Sequence, residues 1–490
     1  MYTLVVYDKA GERHNIGRVK IGQKDKAATD WPFIENQPFA ALDDSCFSLG
    51  QDDAYYVNLQ RLGPDLREAI LTQLRDVAAD ADLFEKVKDE DMMTSSLLRW
   101  VTPTTVRGQF RRLAHGGVRL THYSFEYRLA RRGSLAAAPP PSLAFDVVPD
   151  SNPPTNIHVL IGRNGVGKTQ LLHQMTTALV AGNSSSGKQG GFQPETDEES
   201  GEKMFANLVS VTFSAFDPFI QLSELSEKDR KINYSYIGLK RESNRGADFG
   251  TPKSATMLEN EFAKSVAACL GNAREARWLR AVRTLEADPI FREANVPGLL
   301  EEEAEDMESS QLMNEQEEKR LRKRAAALYR PLSSGHKLVL MTVTQLVEAV
   351  EERTLVLLDE PEAHLHPPLL AAFVRALSDL LVDRNGVAIM ATHSPVVLQE
   401  VPRTCAWKLR RAGDSLVAER PSIETFGENV GVLTREVFGL EVTEAGYHQL
   451  LRQAVDEADS YEEVMATFDQ ALGAEARALV RALLLARTNR

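Results

Sequence analysis

Cysteine is scarce in this 490-residue chain: Cys46, Cys269 and Cys405 stand alone, with no CxxC spacing and no pairing pattern. So few cysteines, odd in number, exclude a disulfide framework and fit a reducing compartment. Long apolar runs are missing too. None approaches the roughly 20 residues of a membrane span. Asp8 and Lys9 interrupt the N-terminus too early for a signal peptide's apolar stretch. The expected location is the cytoplasm, with no membrane partner. Net positive charge is also lacking, because 70 acidic residues outnumber 57 basic ones and leave −13. A chain this acidic does not coat itself with nucleic acid over its whole surface, although a local basic groove remains open. No repeat of solenoid length is present.

What is there reads as an α/β protein. TLVVYDKAG and RVKIG suggest two short strands around a polar turn, and a helix begins near Pro64, where Leu66, Ile70, Leu74 and Val77 recur at helical spacing. Residues 106–132 alternate apolar and polar side chains and suggest strands, followed by a loop at 133–142. LAFDVV, IHVLI and LVSVTF are further strands. The polar segment 182–203 has little to bury and reads as a surface loop. From 219 to 330 the pattern is mainly helical, with a charged run from Glu301 to Arg324 whose opposite signs can pair along one helix face. After about residue 440 a helical stripe carries Leu472, Ala476, Leu479, Leu483 and Leu484.

The strand IHVLI runs into G-R-N-G-V-G-K-T. Gly162, Gly167, Lys168 and Thr169 satisfy G-x-x-x-x-G-K-[ST], and an apolar helix can follow. A loop through Gly162, Arg163, Asn164, Gly165, Val166 and Gly167 can curl so that its N–H groups point at phosphate oxygens. The helix N-terminus adds partial positive charge at the same place. Lys168 would reach the β and γ phosphates of ATP, and the Thr169 hydroxyl would bind Mg²⁺.

The run T-L-V-L-L-D-E ends in Asp359 and Glu360. Apolar at successive positions, it belongs in the middle of a parallel sheet, and such sheets bind ligands at their carboxyl ends. Asp359 would hold Mg²⁺ through water, and Glu360 would polarise the attacking water. In the following P-E-A-H-L-H-P, His364 and His366 invite a metal reading, but two histidines two apart need further ligands that the sequence does not offer. A second apolar strand ends in T-H-S-P, with His393 at its tip, placed to contact the γ-phosphate.

L-S-S-G-H-K (332–337) opens the helix that leads into the acidic strand. With the phosphate loop, the Asp-Glu strand and the strand-end histidine in this order, residues from about 119 to 410 resemble the ABC-type ATPase head of the SMC, RecF and OLD-like branch. That resemblance implies a mainly parallel sheet with an added antiparallel lobe at 119–415, and the residue patterns add a mainly helical insertion at 219–330, an N-terminal strand and helix region at 1–118, and a helical C-terminal region at 416–490. It also implies that Leu332, Ser333, Ser334 and Gly335 of one copy meet the γ-phosphate held by a second copy, so that ATP joins two heads. The family's pattern carries glycine where Ser334 stands and glutamine where His336 stands. S-A-F-D-P-F, Y-S-Y-I-G-L-K, D-E-P-E-A-H-L-H-P, A-T-H-S-P and F-G-E-N-V-G-V-L-T-R-E-V-F-G are similar to PtuA-like ATPases of Septu-type antiphage systems, including retron-associated ones. This implies a partner nuclease of the HNH type.

Beyond Ser394 no Asp-x-Asp is present, so the metal site of an OLD-type nuclease is missing from this part of the chain. The insertion is too short for a long SMC coiled coil. The alternative reading is a RecF-like DNA-binding repair factor without a nuclease. Its grip would come from Arg107, Arg111, Arg112, Arg119, Arg128, Arg131 and Arg132, interleaved with Phe110, Tyr123, Phe125 and Tyr127. Those three residues from Tyr123 to Tyr127 are also the candidates for stacking on adenine.

Overall fold

A computed structural model describes residues 1–8, 11–27, 39–117, 119–129, 142–182, 190–194, 204–213, 230–241, 251–270, 274–300, 315–412, 415–439 and 446–488. At the N-terminus, β1 (Tyr2–Tyr7), β2 (Arg13–Gln23) and β3 (Cys46–Gly50) form an antiparallel sheet. Helices Asp53–Arg61 and Pro64–Gln73 follow it. Phe47, Leu49, Tyr56, Phe84 and Phe110 centre a core that belongs to this region.

Val106–Phe110 departs from the strand expectation. It is a π-helical turn running into the helix Arg111–Ala114. The reason is visible in burial: Val106, Gln109 and Phe110 face inward, a spacing of three and four rather than two.

Two sheets build the head. The small antiparallel one has the order β5-β4-β7, with β4 Tyr123–Arg128, β5 Ser142–Val147 and β7 Gly191–Pro194. Strand β7 lies inside the segment expected to be a surface loop, and it pairs through Phe192, which is buried against Phe125 and Tyr127. The large sheet uses β6 (Ile157–Gly162), β8 (Asn207–Thr212), β9 (Asn233–Gly238), β10 (Leu355–Asp359), β11 (Val387–Thr392), β12 (Ala406–Ala412) and β13 (Ser415–Glu419). Its order is β13-β12-β6-β11-β10-β8-β9, parallel throughout except for β13. Strand β9 falls within the stretch expected to be mainly helical, and its partner is β8.

Side chains alternate across this sheet, so its two faces have separate cores. Leu160, Leu208, Leu355, Leu357 and Ile389 face the helix Lys168–Ala181 and, beyond it, the antiparallel sheet. Val159, Ile161, Val209, Val356, Leu358 and Met390 face the opposite way. There they meet the helices Ala255–Cys269, Ser334–Ala349 and Pro367–Asp383. The helix Glu315–Tyr329 carries the basic part of the charged run, where Arg322 pairs with Glu318 one turn away. The acidic part, 301–314, lies outside the described residues, as do the loop at 133–141 and the segment S-A-F-D-P-F from Ser214 on.

The N-terminal region sits at the amino ends of the large sheet. Asp53 meets Arg384 at 3.4 Å and Arg119 at 2.8 Å. Thr105 donates to Glu351, and Arg112 pairs with Glu352. These partners immediately precede β10 and β11, which places the N-terminal region away from the carboxyl ends of the sheet. The last helices, Tyr447–Glu457, Tyr461–Thr467 and Ala474–Thr488, share a small core of Leu451, Val455, Val464, Ala476 and Val480, with Leu472, Leu479, Leu483 and Leu484 packed against it. No described helix is long and apolar enough to cross a membrane.

Candidate active site

At the carboxyl end of β6 the chain turns through Arg163–Gly167 into the helix Lys168–Ala181. Gly165 and Gly167 have φ of +79° and +106°. Each is in the left-handed region that a side chain resists, so glycine is required by backbone conformation. Gly162 is required by space, because a Cβ there would lie 2.5 Å from the Leu409 carbonyl oxygen. Arg163, Asn164 and Gly165 are exposed, Val166 is buried, and Thr169 is half-buried on the first helical turn.

Lys168 is buried. Its Nζ donates to the carbonyls of Gly162 (3.1 Å) and Arg163 (3.2 Å) and lies 3.6 Å from Glu360 Oε1. Asp359 ends β10 as a buried carboxylate beside Thr212 and Ala391 of the neighbouring strands. Glu360 follows at φ +43°, an unfavourable conformation for a residue with a side chain. Its N–H donates to the Ala391 carbonyl at 2.9 Å, which fixes the turn against β11. His393 Nδ1 lies 3.6 Å from the same Glu360 oxygen. Lys168, Glu360 and His393, named from three separate motifs, therefore meet across two strand ends.

A residue that motif reasoning missed completes this corner. Glu362 Oε1 accepts from the His393 N–H (2.7 Å) and from Thr392 Oγ1 (2.6 Å), and it lies 3.0 Å from His393 Nδ1. The available signal was a second acid two residues after the Asp-Glu pair, within D-E-P-E-A-H.

The signature residues are elsewhere. Ser333 caps the helix Ser334–Ala349 by accepting from the His336 N–H. Ser333 and Ser334 are exposed, while Leu332 and Gly335 are buried. A Cβ on Gly335 would come within 2.6 Å of the His364 carbonyl oxygen, so the helix start lies directly against the 3-10 turn Pro361–His364. This helix packs on the sheet face opposite the phosphate-loop helix.

Tyr123, Phe125 and Tyr127 do not fit an adenine-stacking role. All three are buried in the core between the two sheets. The same burial, with that of Phe110, removes the aromatic half of the proposed nucleic-acid grip. Its arginines are engaged as well: Arg107 with Glu85, Arg112 with Glu352, Arg119 with Asp53 and Arg128 with Glu126. Arg131 and Arg132 lie outside the described residues.

Residues 157–399 match the family described as "AAA domain, putative AbiEii toxin, Type IV TA system". Protein ea59 of Escherichia phage lambda is 40% identical over 494 residues, covering 99% of this chain and 92% of that protein. The chain belongs to the family of protein ea59. Within this ea59-family chain, residues 157–399 are an AAA-family ATPase domain, and they contain the phosphate loop, the Asp-Glu strand and His393. Among solved structures, an ATP-binding cassette of an ABC transporter in its ADP conformation is 13% identical. It covers 66% of this chain and 98% of the cassette, with a TM-score of 0.30. A nucleotide-free cassette of an ABC transporter is also 13% identical, covering 56% and 81%, with a TM-score of 0.24. The fold assignment rests on the strand order and on where the motifs fall in it.

Proposed function

We propose that two copies of this chain close around ATP and Mg²⁺, hydrolyse ATP between them, and use that closure to control a partner nuclease of the HNH type. One observation carries the paired-head reading. The phosphate loop and the signature helix lie on opposite faces of one sheet, although both open at its carboxyl end. A single head cannot close its own signature over its own phosphates without moving it through the sheet edge. A second head related by a two-fold axis can supply it, and the contact is then reciprocal.

The residues fit a Mg²⁺–triphosphate. The loop bends at two glycines of positive φ, Lys168 presents a buried ammonium at its centre, and a buried carboxylate ends β10, separated from β6 by β11 alone. Thr169 and Asp359 would hold Mg²⁺, which supplies neutralising charge for the phosphates. Lys168 binds phosphate oxygen in place of the carbonyls it now meets. Glu360 orients and polarises the attacking water, and its proximity to Lys168 and His393 keeps its carboxylate directed at the strand ends. His393, held from behind by Glu362, donates to the transferring phosphoryl group. Exposed Ser333 and Ser334, with the N–H groups of the signature helix, meet the phosphate of the other copy.

The nuclease partner and the antiphage setting rest on the similarity of the motifs at 214–219, 234–240, 359–367, 391–395 and 426–439 to PtuA-like ATPases. The DNA-repair alternative has less to rest on, because its aromatics are buried and its described arginines are engaged. The paired-head reading is tested by sizing the Glu360→Gln chain with and without ATP. ATP-dependent dimers are expected, and a monomer at every ATP concentration would contradict the proposal. Co-purification with an HNH nuclease encoded beside this chain tests the partner.

A further inference from the structure

His336 stands where the signature pattern carries glutamine, and its surroundings belong to neither the phosphate loop nor the Glu360 corner. Its ring is buried against Phe291. Nδ1 lies 2.6 Å from Ser333 Oγ, and Nε2 lies 3.1 Å from Asp288 Oδ1. Asp288 is also buried, and it caps the insertion helix Pro289–Ala294. Its second oxygen, Oδ2, lies 3.5 Å from Nε2 of His366, which is half-exposed and caps the helix Pro367–Asp383. Two imidazole nitrogens and one carboxylate therefore converge within 4.8 Å from three different elements. Sequence spacing offered His364 and His366 alone; the fold brings Asp288 and His336 to His366, while His364 is exposed and not among the converging donors.

We propose that Asp288, His336 and His366 form a binding site for a borderline divalent transition metal, Zn²⁺ in the first instance. The donor set is the argument. Zinc prefers imidazole nitrogen and carboxylate oxygen at about 2.0–2.2 Å, which puts neighbouring donors of a tetrahedron about 3.3–3.5 Å apart. The separations of 3.1 Å from His336 to Oδ1 and 3.5 Å from His366 to Oδ2, one from each oxygen of the same carboxylate, are close to that edge. A ligating imidazole is usually steered by a partner on its other nitrogen, and Ser333 Oγ occupies that position for His336. Half-exposed His366 provides an entry path and leaves room for a water or a fourth ligand. Binding costs His366 its long contact of 3.4 Å with the Leu369 N–H, because its Nδ1 must then carry the proton. Three protein ligands plus an open position is also the arrangement of a site that exchanges ligands rather than a sealed structural one.

The only other such group among the described residues, Asp8, Glu12 and His14, is a surface turn whose carboxylate already caps the Glu12 N–H. It has no buried donor. The Asp288 site is different in consequence, because a metal there ties the signature helix to the insertion and to the turn behind Glu360. It stands independently of the ATPase reading.

The test is a zinc titration of the full chain, first stripped by a chelator, in excess Mg²⁺ and without nucleotide, with bound metal read by a competing chromophoric chelator. One equivalent per chain is expected. Asp288→Asn and His366→Asn should each weaken it at least about tenfold, whereas Asp8→Asn should leave it unchanged. Asparagine keeps the capping function at both positions, and melting of the metal-free variants checks their folding. Co²⁺ at the site should give a visible absorption band that both variants lose. Zinc binding equal in wild type and both variants, or lost in Asp8→Asn instead, overturns the proposal and leaves the cluster a hydrogen-bonded clasp.

Discussion

Glu362 holds His393 by its backbone: the carboxylate accepts the His393 N–H at 2.7 Å while standing 3.0 Å from the ring nitrogen Nδ1. The same oxygen accepts from Thr392, so the tip of β11 is fixed in place before any substrate arrives. In the proposed mechanism Glu362 is thus a positioning residue. Glu362→Ala should reduce kcat by roughly tenfold or more while leaving ATP affinity near wild type. Parallel measurement of nucleotide binding and turnover checks this, and an equal loss in both would point to a collapsed pocket instead.

Lys168 and Glu360 lie 3.6 Å apart yet should fail in opposite ways. Lys168→Ala removes the buried ammonium proposed to meet the phosphates, and a loss of binding of roughly 10- to 100-fold is expected. Glu360→Gln keeps the shape and the binding while lowering kcat by about 10²–10⁴. Equilibrium nucleotide binding and single-turnover hydrolysis separate the two. Wild-type hydrolysis by Glu360→Gln would remove Glu360 from its role.

Much of this corner was legible in the sequence because each part is local. A continuous apolar run must be buried on both faces, so IHVLI, TLVLL and VAIMAT declared themselves central strands, and their ends carried Gly162, Asp359 and His393. What depends on tertiary placement was not legible. VRGQF contains enough apolar residues to suit either period, and packing against Leu59 and Phe84 chose the helical one. The aromatics of β4 alternate as an exposed grip would, yet a second layer covers them. The link between His336 and Asp288 spans 48 positions and two helix starts, a distance no motif reports.

Gly335 has no room for a side chain, with the His364 carbonyl 2.6 Å from where a Cβ would stand. Gly335→Ala should force the signature helix away from the 3-10 turn at a cost of about 1–3 kcal/mol. ATP binding by the separate head should persist while turnover falls. Thermal melting and steady-state ATPase measurements check the two halves of this expectation.

His158 lies in β6, just before the phosphate loop, with both ring nitrogens buried. Burial, aided by the charge of Arg420, pushes its pKa down from 6.5 to about 3. The unfolded chain therefore takes the proton more readily than the folded one. Its contribution to stability is complete above the unfolded value of 6.5 and is lost as pH falls toward about 3. The slope is at most about 1.4 kcal/mol per pH unit. His158→Phe should flatten the decline in melting temperature below neutral pH, which melting curves across that range would show.

Reciprocity between two heads is open to a mixing experiment. Lys168→Ala spoils the phosphate loop of its own chain, and Ser334→Arg spoils only the signature offered to another. Each alone should be inactive. Mixed, they form heterodimers in which one composite site is doubly broken and the other is intact, so ATP hydrolysis should return. If the mixture stays as inactive as its components while the heterodimer demonstrably forms, the nucleotide is not shared between copies and the paired-head mechanism is wrong.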